Sequence, residues 1–437
     1  MPTVIDLTNL TAGLGFIIQG DADYDGAGYS VSSAGDVNGD GIDDIIIGAY
    51  RGDDGGINAG EAYVIYGSTD PDRGRVDLSA LEAVLGFIIQ GDAEMDFAGS
   101  SVSSAGDVNG DGIDDLIVGA PFGDDGGNAA GEAYVIYGST NPERGQVDLS
   151  ALDAADGFII QGDAAGDRAG FFVSSAGDVN GDGIDDLIVG APRGDDGGSN
   201  AGEAYVVYSS TDPDRGRVDL SALDVADGFI IQGDAATDSA GTSVSSAGDV
   251  NGDGIDDLIV GAPFGDDGGN AAGEAYVIYG TTEQRGTLDL TDLDAADGFI
   301  IQGDAADDQT GRSVSSAGDV NGDGIDDLII GARLGDDGGG AAGEAYVIYG
   351  STDPDRGRID LSALDAADGF IIQGDAAGDQ AGSSVSSAGD VNGDGIDDII
   401  IGALRGDDGG VDAGEAYVIY GAATTEGQTI VDDSSDG

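Results

Sequence analysis

The chain has 437 residues, with 86 acidic against 14 basic side chains, all of the latter Arg, and a formal charge of −72. That surplus argues against a nucleic-acid partner and against an anionic membrane surface, because both need cations to meet phosphates. Cys, His and Trp are absent, which excludes disulfides, the usual zinc ligand sets, thiol nucleophiles and His-based catalysis.

In chain order, "MPTVIDLTNL" lacks the basic and apolar regions of a signal peptide. The chain is therefore expected either not to be exported by that route or to have been cut from a longer precursor. No apolar run reaches the length of a membrane span, and no membrane insertion is expected. The first predicted strand is "GFIIQG" (15–20), standing alone ahead of any Asp-rich loop. The string "AGDVNGDGIDD" then appears six times, its first Asp at Asp36, Asp107, Asp178, Asp249, Asp319 and Asp390. This near-constant period points to one array of six units rather than two or three domains.

Four strands are predicted per unit, in the third "GFIIQG" (157–162), "FFVSSAG" (171–177), "DLIVGA" (186–191) and "GEAYVVY" (202–208). Each is rich in Val, Ile, Tyr or Phe and bounded by Gly, Asp, Asn or Pro. Helical periodicity is missing, although "DLSALDAAD" (148–156) has room for one turn. The chain stops after "GEAYVIYG" (414–421) with no further "GFIIQG". The first segment is then expected to supply the strand that the last unit lacks, which would remove two exposed edges. The predicted fold is all-β: a six-bladed β-propeller over residues 1–421, with four-stranded antiparallel blades, closed by the N-terminal strand completing the last blade. The tail 422–437 reads as disordered and acidic.

Each "DVNGDGIDD" places side-chain oxygens at positions 1, 3, 5 and 9 and a backbone carbonyl at position 7. These are Asp36, Asn38, Asp40, Ile42 and Asp44; Asp107, Asn109, Asp111, Ile113 and Asp115; and Asp178, Asn180, Asp182, Ile184 and Asp186. The later units carry Asp249, Asn251, Asp253, Ile255 and Asp257; Asp319, Asn321, Asp323, Ile325 and Asp327; and Asp390, Asn392, Asp394, Ile396 and Asp398. Hard oxygen donors at this spacing suit Ca²⁺, about one per blade and six in all, better than Mg²⁺, which keeps more of its waters. Three gathered carboxylates repel by about 1 kcal/mol per pair at 4 Å in water, so loss of the ion should weaken the ring. An EF-hand would need Glu at position 12 and flanking helices. Position 12 is Ile47, Val118, Val189, Val260, Ile330 or Ile401, inside a β-branched run, so the loop joins two strands.

On these motifs the unit resembles the FG-GAP repeat of integrin α-subunit propellers and of bacterial and archaeal surface proteins, over residues 5–421. The resemblance implies calcium in the loop between strands one and two, and an outer strand of the last blade taken from the N-terminus. The chain departs from the family in keeping Gly-Ala-Pro only at Gly119–Pro121, Gly190–Pro192 and Gly261–Pro263. The aromatic-Gly signature has become "AG" or "TG", as at Ala98-Gly99 and Thr310-Gly311, and the units number six where integrins have seven blades.

Alternation of loops in an antiparallel blade puts the calcium loops on one face and the "GDDGG" and "GDAAGD" loops on the other. The expected function is a calcium-binding, extracellular or cell-surface adhesion, protein-interaction or scaffold module, a monomeric part of a larger surface protein, with a protein or glycan ligand. A lectin-like propeller is the alternative, though the inter-blade loops carry few aromatics. An enzyme is the remote one, because every Asp pair repeats with the unit and none stands apart. The "RGD" at Arg51, Arg193 and Arg405 reads as a turn, since Phe122, Phe264 and Leu334 fill the same place ahead of an unvarying "GDDGG".

Overall fold

The computed structural model describes residues 15–423 apart from 71–72, 142–143, 213–214, 355 and 408–410; residues 1–14 and 424–437 of the expected propeller and tail lie outside the described residues. Within the first unit the strands are β1 (Ile17–Gln19), β2 (Ser30–Gly35), β3 (Asp44–Ala49), β4 (Glu61–Ile65), β5 (Arg75–Asp77) and β6 (Gly86–Gln90). The sheet runs β2-β3-β4-β6, all antiparallel. Every residue of β4 is buried, as is nearly all of β3. That is why the sequence there reads as continuous apolar runs with no in-out alternation. Units two to five repeat this arrangement and the sixth repeats its first three strands, as the blades of a β-propeller, and no helix among the described residues is long and apolar enough to cross a membrane.

The blades are not purely four-stranded and antiparallel, as the sequence led us to expect. Gln146–Asp148, from the loop between strands three and four of the second unit, adds to the first blade parallel to β6. Three residues are too short a run to show a strand period. The pairing arises because β6 would otherwise expose an edge. Asp148 then ends the strand by accepting a hydrogen bond from the Ser150 N–H, which caps a 3₁₀ turn over Leu149–Ala151. This is the single turn foreseen in "DLSALDAAD".

The core lies between blades. Ile46 and Val64 of the first blade meet Leu116, Val118 and Tyr134 of the second in one buried cluster, and later blade pairs repeat the contact. Such close stacking requires glycine in the second strand. A Cβ on Gly119 would sit 2.1 Å from the Gly170 carbonyl oxygen of the next blade, and one on Gly48 2.0 Å from that of Gly99. The Gly-Ala pair is thus an inter-blade contact, and the residue after it is free to drift. Gly119→Ala is expected to destabilise the fold by about 2–3 kcal/mol through overpacking, read as a lower urea midpoint with an unchanged slope.

Arginines tie consecutive blades as well. Arg144 stands 4.9 Å over the Phe87 ring and donates to the Tyr137 carbonyl. Arg73, Arg215, Arg285 and Arg356 lie likewise over Phe16, Phe158, Phe229 and Phe299. The stacked guanidinium keeps its attraction to the ring while covering apolar surface.

The expected closure strand holds the place of a fourth strand toward the first blade, as β6 does toward the second, but is not paired with the last blade. β1 pairs with β5, in parallel, and the last blade consists of Ala381–Gly389, Asp398–Ala403 and Glu415–Ile419 without it. Phe16 and Ile18 pack on Ile47, Tyr63 and Ile65 of the first blade. That local contact forms whether or not the distant last blade is met, whereas closure must also join residues some 400 positions apart. The two end blades are accordingly uncovered: Val31 is 64% exposed where its counterpart Val102 is 4%, and Val418 48% where Val64 is 0%.

Candidate metal centres

The Asp-Asn loops sit between strands one and two of each blade, as their spacing predicts. In the first, Asp36 accepts hydrogen bonds from the Asp40 N–H at 3.0 Å and the Gly41 N–H at 2.7 Å. Asp40 accepts from the Ile42 N–H at 3.0 Å. Gly39 and Gly41 hold positive φ of 71° and 85°, the left-handed turns that let the chain coil this tightly. Asp44 is 1% exposed and accepts from the Gly67 N–H, the Val37 N–H and the Asn38 amide. Positions 1, 3, 5 and 9 therefore converge on one turn, and the ninth is its buried floor.

Electrostatics at that floor are unfavourable for a bare carboxylate. Burial, with the charges of positions 5 and 1 behind it, pushes the ninth carboxyl up to about 8 in Asp115, Asp186 and Asp257. It reaches about 7 in Asp327 and about 6 in Asp44. Asn321 adds a further sign: it is 4% exposed, and its Oδ1 is buried without a partner. An all-oxygen donor set, a carboxylate kept from ionising and an orphaned amide oxygen fit a hard cation.

The eighth position was not foreseen as functional. Asp114 accepts from the Asp36 N–H of the preceding loop at 2.8 Å, and Asp185, Asp256, Asp326 and Asp397 do the same onward. The paired Asp of "GIDD" thus serves two loops: the ninth floors its own, and the eighth latches its neighbour.

A second acidic group was also missed. In each of five blades one oxygen from each of three carboxylates lies within 4.8 Å of the others, as in Asp21, Asp25 and Glu61, or Asp92, Asp96 and Glu132. Such an acidic cluster could hold a metal ion. The Asp pair comes from the "GDAAGD" loop and the Glu from the start of strand three, at the blade end opposite the Asp-Asn loops. Glu132 is 1% exposed, accepting from the Tyr134 hydroxyl at 2.6 Å and the Asp125 N–H at 2.8 Å. Its signal in the sequence was one acid heading an otherwise apolar strand, "GEAYV".

Two further features complete the faces. A groove of about 330 Å³ opens beside the first Asp-Asn loop, lined by Asn38, Asp40, Tyr66, Val84, Ser139 and Thr140. Its counterpart at the third unit, about 310 Å³, is lined by Asn180, Asp182, Tyr208, Val225 and Thr282. On the other face the "RGD" segments form the turn between strands two and three. Gly52 lies against the Glu61 carboxyl, and Asp53 accepts from the Asn58 N–H at 2.7 Å, leaving Arg51 exposed.

The family model described as FG-GAP repeat matches residues 27–65, 98–136, 170–207, 240–278, 310–348 and 381–419. The chain is 33% identical over 235 residues to Integrin alpha pat-2 of Caenorhabditis elegans, covering 53% of this chain and 17% of that protein. It is 30% identical over 245 residues to Integrin alpha-5 of Xenopus laevis, covering 54% and 20%. With Phosphatidylinositol-glycan-specific phospholipase D of Homo sapiens it shares 28% over 421 residues, covering 92% of this chain and 47% of that protein. The chain therefore spans about a fifth of these integrin relatives and just under half of the phospholipase.

Proposed function

Since the chain belongs to the FG-GAP repeat family, we propose that it is a calcium-stabilised propeller that recognises a protein ligand outside the cell, as one module of a larger surface protein. The observation that carries this reading is the set of six Asp-Asn loops with a fully buried ninth carboxylate. Positions 1, 3, 5 and 9 would hold the ion with the carbonyl of position 7, in every blade. Calcium would supply the positive charge that the chain itself lacks at that floor. The eighth Asp then passes the order of one loop to the next through its hydrogen bond to the preceding backbone. The ion's role is structural, since the loops are equivalent and none has a distinct reacting group beside it.

The integrin α chains among the relatives support adhesion. The phospholipase relative is about twice as long as the part matched, and we assign no catalysis to this chain. A lectin-like reading has one observation in its favour, the repeated groove beside the loop with Tyr66 or Tyr208 and several hydroxyls in its wall. Attachment of cells to the immobilised chain, with calcium and with chelator, tests the adhesive reading, and a glycan array separates the two. Calcium-dependent attachment with an empty array is expected; glycan binding that accounts for the attachment would replace protein recognition. Changing Arg51, Arg193 and Arg405 to Phe is expected to leave attachment within about twofold, because substitutions on an exposed turn shift energies by only about 0.5 kcal/mol. Loss of attachment would make the tripeptides the ligand site.

A further inference from the structure

The carboxylate trios on the face opposite the Asp-Asn loops have a property that solvation of an acidic surface does not explain. Asp96 is 5% exposed and Glu132 1%, so both are removed from water. Asp96 shares a hydrogen bond with the Asp92 carboxyl and faces the charges of Asp92, Glu132 and Asp124, while its counterpart Asp238, 4% exposed, faces the carboxylates of Asp234, Glu274, Asp266 and Asp267 with no donor among the described residues. Oδ1 of Asp92 is itself fully buried with no partner, and the same orphaned oxygen recurs at Asp21, Asp163, Asp234 and Asp304. No ion pair reaches Asp92, Asp96 or Glu132 among the described residues. Glu132, by contrast, is fixed by Tyr134 and Asp125, and a Cβ on Gly123 would sit 2.5 Å from its carboxyl carbon. The chain thus builds a rigid acidic pocket in which Tyr134 and the Asp125 N–H serve Glu132, and leaves the pocket without the positive charge that buried anions require.

We propose that each trio binds a divalent cation, a second ring of sites distinct from the Asp-Asn loops and on the opposite face of the propeller. The donors are all carboxylate oxygen, and their mutual spacing of up to 4.8 Å is about twice a calcium–oxygen distance of 2.3–2.6 Å. Calcium, or an ion of its size and hardness, therefore fits, with water completing the coordination. Its place is where the loop entering each blade meets the start of strand three, so it ties those two segments together.

The test counts calcium bound to the full chain by metal analysis after equilibrium dialysis. Three proteins are compared: the unaltered chain, Asp92→Asn/Asp96→Asn, and Asp107→Asn/Asp111→Asn in the loop of the same blade. The first variant is expected to lose one ion per chain and the second to lose a different one. An unchanged count in Asp92→Asn/Asp96→Asn overturns the second ring. An unchanged count in the loop variant alone overturns the loop assignment and leaves the second ring standing. Thermal melts guard against misfolding. In chelator the trio variant should melt no lower than the unaltered chain, since it loses only repulsion, and in calcium it should gain less. Equal gains from calcium in both proteins would mean that the trio shares protons instead of holding an ion. Should the double variant fail to fold, Asp92→Asn, at the less buried position, carries the same comparison.

Discussion

Chelation of divalent cations is expected to lower the melting temperature of this propeller by roughly 15–20 °C. At free calcium a hundred times its dissociation constant, each site adds about 2.7 kcal/mol to the folded state. Six loop sites then add about 16 kcal/mol, against an unfolding entropy of roughly 0.9 kcal/mol per degree for 437 residues. The stabilisation has a structural route. A bound ion would offset the repulsion of positions 1, 5 and 9, and the latch from Asp114 to the Asp36 N–H would carry the ordered loop to its neighbour. Scanning calorimetry with calcium and with excess EDTA measures it, and coincident transitions would remove calcium from the account of this fold.

Acidification from about pH 8 to about pH 5 is expected to stabilise the metal-free chain and destabilise the calcium-loaded one. Unfolded Asp has a pKa of about 3.9, whereas burial raises Asp115, Asp186 and Asp257 to about 8, Asp327 to about 7 and Asp44 to about 6. Between these values the folded state binds more protons than the unfolded one, so stability falls as pH rises. The contribution is complete below about pH 4 and is lost progressively up to about pH 8. The overall charge of −72 works in the same direction. With calcium present the sign reverses, because protons compete with the ion for the same carboxylates. Melting temperatures at the two pH values, in EDTA and in calcium, should cross. Parallel pH dependence in both would show that the buried carboxyls do not hold the ion.

Both expectations rest on residues that were legible in the sequence. The loop ligands are contiguous and the period that repeats them is strict, so their convergence on one turn needed only local geometry and two glycines. The four main strands were legible for the same reason: β-branched runs such as "DLIVGA" and "GEAYVVY" end at Gly and Asp and need no distant partner to be recognised. The alternation of loop faces followed from antiparallel pairing and holds in the fold.

What remained hidden depended on contacts between segments far apart in the chain. Asp96 and Glu132 are 36 residues apart and meet only when the loop entering a blade folds over strand three of that blade, so no local pattern announced the trio. Asp114 looked redundant beside Asp115 until the neighbouring loop came within hydrogen-bond reach. The parallel fifth strand exists only because the preceding blade offers it an edge. The sequence by itself determined the six units, their strands and the oxygen donors of each loop, because these are properties of short contiguous segments. The tertiary structure alone decided how one blade latches to the next, where β1 lies and which acids lose their water, because packing brings together residues that the chain keeps far apart.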